Sequence, residues 1–127
     1  MPTAITNDVK ISVEVAYQHV SQNPDGDHTF AYRITIENRS EFTIKLLRRH
    51  WYITDLNVNK SEVEGEGVVG RQPMLEPGES HQYVSGCAVQ ADIGVMYGTF
   101  LMERQIDGKL FEVAIPKFNL IPPFKFN

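Results

Sequence analysis

Apolar and polar residues alternate with a period of two along much of this chain of 127 residues. Between residues 9 and 17 every odd position is apolar, and between 30 and 36 every even position is apolar. Such alternation is typical of half-buried β-strands, because successive side chains point to opposite faces of a sheet. No segment shows a helical period. Short strands separated by turn signals predict an all-β antiparallel sandwich of seven to eight strands.

Local signals refine this strand pattern. The segments Asn23-Pro24-Asp25-Gly26 and Pro77-Gly78 predict turns. The second fits a type II turn, in which proline takes the first central position and glycine the next. Within residues 42–53 the apolar positions change from even to odd, which predicts a β-bulge near Leu46-Leu47.

The last predicted hairpin has a specific register. Asp107-Gly108 is a strong signal for a two-residue hairpin turn. Pairing across that turn places Met102 opposite Val113. It also places Glu103 opposite Glu112, an unfavourable pair of like charges.

Length and composition predict a single domain spanning residues 1–127. Its sandwich core covers about residues 8–118, and a proline-rich C-terminal tail covers 119–127. The 16 acidic residues outnumber the 12 basic ones, giving a net charge of −4. We therefore expect no nucleic-acid partner, because phosphate-backbone binding requires a basic surface.

The chain carries features of a cytoplasmic protein. Its one cysteine, Cys87, excludes an internal disulfide and a zinc site built from cysteines. Residues 1–8 contain no basic segment followed by an apolar one, as a signal peptide would. No apolar run approaches membrane-spanning length, so we expect no membrane partner.

The run Gly65-Glu66-Gly67-Val68-Val69-Gly70 matches the nucleotide-binding pattern G-x-G-x-x-G. That pattern requires a following helix, whose N-terminus holds the pyrophosphate. Arg71, Gln72 and Pro73 follow instead, so no helix can begin. One interpretation is a phosphate loop formed by Gly65, Gly67 and Gly70 with Arg71 as counter-charge. The structural alternative, which we favour, is a bulge or close backbone approach in a strand.

A row of carboxylates raises the hypothesis of a metal site. Glu62, Glu64 and Glu66 share one face if this segment is extended. Oxygen ligands suit Mg²⁺, and an added imidazole such as His50 suits Co²⁺, with Asp55 as a further candidate. The alternative is a solvated charged edge, which discourages strand pairing. We expect no obligatory cofactor.

No catalytic motif is present. Ser85-Gly86-Cys87 lacks the glycines that flank a serine nucleophile, and Cys87 in an apolar stretch is typical of an inert packed side chain. We therefore expect no enzyme activity. The basic cluster of Lys45, Arg48 and Arg49 is interpreted as the solvated side of a strand. The single tryptophan, Trp51, is expected in the core.

Several longer motifs resemble the bacterial ApaG family. They are Arg49-His50-Trp51-Tyr52-Ile53-Thr54-Asp55, the run from Glu62 to Gly70, Gln72-Pro73, Leu75, Pro77-Gly78-Glu79, Tyr83, Ser85-Gly86, Met96-Tyr97-Gly98, Asp107-Gly108, Ile115-Pro116 and Phe118. The resemblance covers about residues 8–121. It departs after Asp55, where the family usually has Asn-Gly and this chain has Asn57-Val58-Asn59.

The resemblance implies an immunoglobulin-like, fibronectin type III-like β-sandwich that is often a homodimer. It also implies a historical association with cobalt and magnesium efflux, which does not define a molecular activity. The same domain is attached to eukaryotic F-box proteins and to a polymerase delta-interacting protein, as a partner-binding domain would be.

These observations leave three functional hypotheses. The leading one is a non-catalytic protein-interaction module acting as a homodimer through an exposed strand or the apolar tail. The second is divalent-cation binding by the carboxylate row. The third is phosphate or nucleotide capture by the glycine run.

Overall fold

The computed structural model describes residues 1–20, 28–55, 59–89 and 93–121. The predicted turn at 23–26, residues 57 and 58 of the turn after Asp55, and residues 122–127 of the tail lie outside these ranges. The described residues contain strands and turns but no helix, so no helix of the structure could span a membrane.

The described residues form nine antiparallel strands in two sheets. They are β1 (Thr3–Thr6), β2 (Val9–Val20), β3 (His28–Asn38), β4 (Ile44–Asp55), β5 (Asn59–Glu66), β6 (Met74–Leu75), β7 (Ser80–Val89), β8 (Gly94–Arg104) and β9 (Leu110–Leu120). The first sheet has the order β1-β2-β3-β7, and the second has the order β5-β4-β8-β9 with β6 also paired to β4.

The sandwich is therefore of the predicted class, with more strands than the seven to eight expected. The additional strands are short. β1 pairs with β2 through a turn in which Asn7 and Asp8 have positive φ angles of 48° and 61°. Asparagine and aspartate tolerate this left-handed conformation, but without glycine the turn is hard to recognise from sequence. When β1 and β6 are set aside, the first sheet has three strands and the second has four, as in fibronectin type III-like domains.

The core lies between the sheets and contains the apolar positions predicted by alternation. Ile11, Val13, Ile34 and Ile36 of the first sheet are fully buried. Trp51 is 3% exposed, which confirms its expected place in the core. Aromatic rings from the two sheets meet there, because Trp51 contacts Tyr32 edge-on at a centroid distance of 5.5 Å.

The β-bulge in β4 is confirmed. The pairing of β4 with β8 shifts register between Leu46 and Arg48. One extra residue reverses the faces of a strand, so the inward positions change from Ile44 and Leu46 to the odd residues that include Trp51. Arg49 consequently has the same parity as Trp51, and its interpretation as part of a solvated face is wrong.

The Pro77-Gly78 turn is also confirmed. The Glu79 N–H donates to the Glu76 carbonyl at 3.0 Å, and Gly78 has a φ of 86°. Positive φ at the second central residue is what defines a type II turn and requires glycine there.

The final hairpin forms at the predicted place, but its predicted register is wrong. Met102 lies opposite Phe111, and Glu103 lies opposite Leu110 rather than Glu112. The turn is longer than two residues, since the Arg104 N–H donates to the Lys109 carbonyl and the Gly108 N–H donates to Arg104. Asp107 accepts hydrogen bonds from the Arg104 guanidinium and, at 3.1 Å, from the Lys109 N–H. The register therefore moves by two residues, which preserves the inward faces.

The two sides of the sandwich differ. On one side β9 packs against β1 and β2, and the Ala114 N–H donates to the Thr6 hydroxyl at 3.1 Å. Because β9 is an edge strand, Pro116 is tolerated within it, as expected for a segment that cannot be central. On the other side the edges β5 and β7 flank an open cleft between the sheets.

Candidate functional site

The glycine run is a tight hairpin turn rather than the start of a helix. The Val68 N–H donates to the Arg71 carbonyl at 2.8 Å, and the Arg71 N–H donates back at 3.0 Å. The central residues Val69 and Gly70 have φ angles of 47° and 76°, as in a type I′ turn. The Gly67 N–H donates to the Leu47 carbonyl. These N–H groups are therefore committed to backbone carbonyls, which fits the structural interpretation of the glycines.

The first glycine of the run instead accommodates an arginine. Gly65 lies directly opposite Arg49 in the β4–β5 ladder. A Cβ atom at Gly65 would lie 2.8 Å from the Arg49 Cζ atom. One terminal nitrogen of Arg49, Nη1, donates to the carbonyls of Glu66 and Gly67 at 3.1 and 2.9 Å. The absence of a side chain at Gly65 therefore gives the guanidinium room to lie against β5.

Arg49 lines the cleft between the two sheets. The cleft has a volume of about 330 Å³. The residues with polar side chains in its wall are Arg49, Tyr32, Tyr83 and Ser85. The remaining wall is mainly apolar and includes Trp51 and Met96. Cavities of this size hold small ligands in many proteins.

Two tyrosines in this cleft are electrostatically perturbed. Burial raises the pKa of Tyr83 far above its ordinary value, and the nearby Tyr32 contributes a smaller rise. Burial also raises the pKa of Tyr32, partly offset by a hydrogen bond with Ser85 and by the charge of Arg49. The Tyr83 hydroxyl is buried and has no hydrogen-bond partner among the described residues.

Cys87 lines the same cleft. Burial raises the pKa of its thiol, so the protonated and unreactive form is favoured at neutral pH. This agrees with the interpretation of Cys87 as a packed side chain.

The predicted carboxylate row lies on the outer face of the second sheet. Glu62, Glu64 and Glu66 are opposite Tyr52, His50 and Arg48 in the β4–β5 ladder. The Glu64 carboxylate lies 2.8 Å from His50 Nδ1, and the Glu62 carboxylate lies 3.5 Å from His50 Nε2. The structure thus brings together three of the five proposed metal ligands: His50, Glu62 and Glu64.

Of the two remaining candidate ligands, Glu66 accepts a hydrogen bond from Gln72 at 3.3 Å. Asp55 ends β4, and its side chain lies outside the described part of the protein. Among the described residues, no group of three or more His, Cys, Asp or Glu side chains is arranged to hold a metal ion. The imidazole of His50 stands between the two nearest carboxylates instead of joining them around a common point.

An aromatic stack crosses this outer face beside the carboxylates. The His50 and Tyr52 rings are stacked, with centroids 4.5 Å apart and planes 19° apart. Tyr52 stacks in turn on Tyr97 of the neighbouring strand, at 5.1 Å and 17°. The Lys117 Nζ atom lies 5.4 Å from the Tyr97 ring centroid. The four side chains form a continuous row across strands β4, β8 and β9.

Sequence reasoning missed three residues of these two sites: Arg49, Tyr83 and Tyr97. Beyond the predicted bulge the odd-numbered positions face the core, as Trp51 does. Arg49 is also odd-numbered, so the sequence pattern could have placed it on the inward face. Alternation along β8 also predicts that Tyr97 points outward. Its position opposite Tyr52 becomes visible only from the pairing of β4 with β8. No local signal places Tyr83 of β7 beside Arg49, because their strands belong to different sheets.

The strand order defines a fibronectin type III-like β-sandwich, and a cleft opens between its sheets. Comparison with known families assigns it further. The sequence pattern of the family described as "ApaG domain" matches residues 18–104. The chain therefore belongs to the ApaG family.

Relatives match over nearly the whole chain. The Protein ApaG of Sinorhizobium fredii is 44% identical over 124 residues, covering 97% of this chain and 95% of the relative. The Protein ApaG of Brucella abortus has the same identity and coverage. A crystal structure described as that of an ApaA protein from Bordetella pertussis has a TM-score of 0.84 at 37% identity, covering 96% of both chains. These matches support the family and the fold, and their names state no activity.

Proposed function

We propose that this protein is a non-catalytic protein-interaction module of the cytoplasm, which binds a basic segment of a partner on the outer face of its second sheet. The observation that carries this proposal is the stack of His50, Tyr52 and Tyr97 bordered by glutamates. We refer to this surface as the aromatic-acidic face. Its aromatic members are exposed or half-buried, with Tyr97 40% exposed.

The charge around the stack favours a cationic partner. Besides partial desolvation, which is the largest cause, the carboxylates of Glu62, Glu64 and Glu112 raise the pKa of Tyr52. These three acids border the rings from both neighbouring strands. Negative potential at an exposed ring favours Arg and Lys side chains, which gain cation–π contact and a carboxylate partner together.

Lys117 illustrates this binding mode within the chain. Its ammonium lies over Tyr97, while Tyr52 and His50 continue the same row without a cation above them among the described residues. A partner's arginine could lie along the solvent-facing border of this row at Tyr52, where it can pair with Glu62. Arginine suits this position because its planar group can lie against aromatic side chains and pair with a carboxylate.

The test is binding of a fluorescein-labelled peptide of alternating Arg and Gly, measured by fluorescence anisotropy. The control peptide carries citrulline, which has the shape of arginine without its charge. We expect each of Tyr52→Ala and Tyr97→Ala to weaken binding roughly two- to fivefold, the range of an exposed cation–π contact. Gln82→Ala, on the exposed face of the other sheet, should leave affinity unchanged. Equal binding of the citrulline peptide, or unchanged affinity in the Tyr52→Ala/Tyr97→Ala variant, would contradict the proposal.

We also propose that the protein is a homodimer that pairs through β7. This strand is at the edge of the first sheet, and Ser80–Val89 contains no Asp, Glu, Lys or Arg. Natural edge strands usually carry such charges to prevent pairing, so an uncharged edge favours it. Val84 is 53% exposed at this edge. Light scattering should show a dimer that Val84→Lys converts to a monomer, and a monomeric wild type at high micromolar concentration would contradict this proposal.

Binding of Mg²⁺ or Co²⁺ is the second candidate function, and it fits the family's historical link to efflux of these ions. It is favoured by the proximity of the Glu62 and Glu64 carboxylates to the imidazole of His50. Titration calorimetry at millimolar metal should give a heat of binding that the Glu62→Ala/Glu64→Ala/Glu66→Ala variant loses. The Glu76→Ala variant, altered at an exposed turn, is the control. Absence of heat, or unchanged affinity in the triple variant, would exclude this site.

A further inference from the structure

We infer that the cleft between the sheets is a binding site for a small carboxylic acid, with the carboxylate on Arg49 and the apolar body against the inner wall. This site differs from the aromatic-acidic face, because it opens between the edges of β5 and β7. The inference rests on an uncompensated cation, a buried unpaired hydroxyl and a cavity of suitable volume.

The cation is Arg49. Its guanidinium is half-buried, and its known hydrogen bonds go from Nη1 to two backbone carbonyls. Among the described residues no ion pair joins it to a carboxylate, whereas Arg33, Arg39 and Arg104 each have one. Half-buried charges are costly unless they are paired. An arginine anchored by one nitrogen and lacking an acidic partner is therefore suited to receive an anion on its remaining N–H groups.

The hydroxyl is that of Tyr83. The side chain is 9% exposed, and its oxygen has no partner in the described part of the chain. Buried hydroxyls without partners are rare in native proteins. Tyr83 and Arg49 line one cleft. The Tyr83 oxygen is closed off from solvent, so a small shift of its ring toward the cleft would let a ligand oxygen accept a hydrogen bond from it as well as from Arg49. Ser85 offers a third polar group, although it already interacts with Tyr32.

The surroundings favour a carboxylate over a phosphate. One guanidinium supplies one positive charge, and the other polar groups of the cleft are neutral hydroxyls. A doubly charged phosphate would have only this one cation to offset its two charges.

The inner wall selects an apolar body. Trp51, Ile53, Val63, Val68 and Met96 line the cleft alongside the polar groups. The cavity volume of about 330 Å³ lies at the small end of the range for ligand pockets. The fitting ligand class is thus a compact monocarboxylic acid with a ring or branched aliphatic body.

The test uses cyclohexanecarboxylate as the probe. Cyclohexanecarboxamide is the uncharged control of similar shape, and cyclohexyl phosphate is the doubly charged compound for comparison. Trp51 is the only tryptophan and lines the cleft, so its fluorescence should change on binding. These probes do not absorb where tryptophan does. Calorimetry provides the affinities. We expect the carboxylate to bind at least about tenfold more tightly than the amide, since hydrogen bonds to charged groups are the stronger ones.

Variants test the two polar groups separately. Arg49→Gln should remove the preference for carboxylate over amide, and Arg48→Gln, a neighbouring arginine outside the cleft, should preserve it. Tyr83→Phe should weaken carboxylate binding about fivefold while keeping the core packed, the effect of one lost hydrogen bond. Circular dichroism confirms that each variant is folded. Equal affinity for carboxylate and amide, tighter binding of the phosphate, no binding at millimolar probe, or full affinity in folded Arg49→Gln would each overturn the inference.

Discussion

Arg49 and Gly65 face each other across the β4–β5 ladder, and the guanidinium of one occupies the space that a side chain on the other would fill. A pattern that resembles a phosphate-binding loop thus seats an arginine. Glycine spacing alone cannot distinguish the two uses, because both need close approach of a charged group to the backbone. In this protein the paired strand β4 decides between the two uses, because it places Arg49 opposite Gly65.

Substituting Gly65 by alanine should displace Arg49. The new Cβ would lie 2.8 Å from the guanidinium, which is the far end of a flexible side chain and can swing aside. We expect a loss of roughly 1–2 kcal/mol of unfolding free energy, from two hydrogen bonds to the Glu66 and Gly67 carbonyls. Chemical denaturation measures this loss. Gly86→Ala is the control, since its Cβ would meet only an ordinary contact of 3.4 Å. Equal stability of both variants would contradict this account of Gly65.

Substituting Gly67 by alanine should be more damaging than substituting Gly70. Both have positive φ, but a Cβ at Gly67 would lie 2.3 Å from the Arg71 backbone oxygen, whereas none of the protein lies within 4 Å of a Cβ at Gly70. We expect about 1–2 kcal/mol for Gly70→Ala from strain alone, and at least about 3 kcal/mol for Gly67→Ala. Thermal unfolding compares them directly. A Gly67→Ala variant that melts with the wild type would leave the motif without a structural role.

The glycine run should not bind nucleotides. Its Gly67, Val68 and Arg71 N–H groups donate to backbone carbonyls, and no helix N-terminus follows. We therefore expect no saturable binding of ATP, NAD or pyrophosphate at physiological salt in calorimetric titrations. Binding that disappears in Arg71→Ala would overturn this expectation and restore the phosphate-loop hypothesis.

Local patterns were sufficient for the long strands, the bulge near Leu46-Leu47 and the type II turn at Pro77-Gly78. Each depends on side chains within a few residues of one another, and strand alternation is a local property. The predicted register of the last hairpin was wrong because it was read from the turn dipeptide alone. Asp107-Gly108 favours a two-residue turn, but the Arg104 guanidinium and the Lys109 N–H hold Asp107 within a longer loop.

The cleft could not be predicted because it depends on contacts between sheets. Arg49 belongs to β4, and Tyr83 belongs to β7 of the other sheet. Which strands lie at the open side is a property of the whole topology. The outer face was partly predictable, since alternation placed His50 and Tyr52 together, but the alignment of Tyr52 with Tyr97 required the β4–β8 register.

Asn38 should be among the most sensitive polar residues of the fold. It is completely buried, and its amide donates to the carbonyls of Phe42 and Leu75 at 2.8 and 3.0 Å. Its side-chain oxygen, Oδ1, accepts a hydrogen bond from the Ser40 backbone N–H at 3.0 Å. Asn38→Ala should cost about 3 kcal/mol, because it leaves buried backbone groups without partners. Denaturant titration measures this, with the exposed Gln82→Ala as control. A loss below about 1 kcal/mol would show that water replaces the amide.

His81 should make stability depend on pH. Burial, with a smaller effect of the Arg71 charge, lowers the pKa of His81 below its ordinary value of 6.5. The folded protein therefore binds fewer protons at this site than the unfolded chain between the two pKa values. The stabilising contribution is present above the unfolded pKa, decreases as pH falls through it, and is fully lost below the folded pKa.

The matching experiment compares the thermal unfolding of wild type and His81→Gln between pH 7.5 and 5. Other groups that titrate in this range contribute to both proteins, so the difference between the two curves reports His81. We expect the melting temperature of the wild type to fall further than that of the variant as pH falls. The difference between the two falls should be a few degrees at most, because His81 is only partly buried. The His81 Nε2 atom has no hydrogen-bond partner among the described residues, so glutamine removes no specific contact made by that nitrogen. Parallel curves would show that folding does not shift the pKa of His81, and an NMR signal of His81 that titrates above the ordinary pKa would show that the charged form is stabilised. Either result would contradict the prediction.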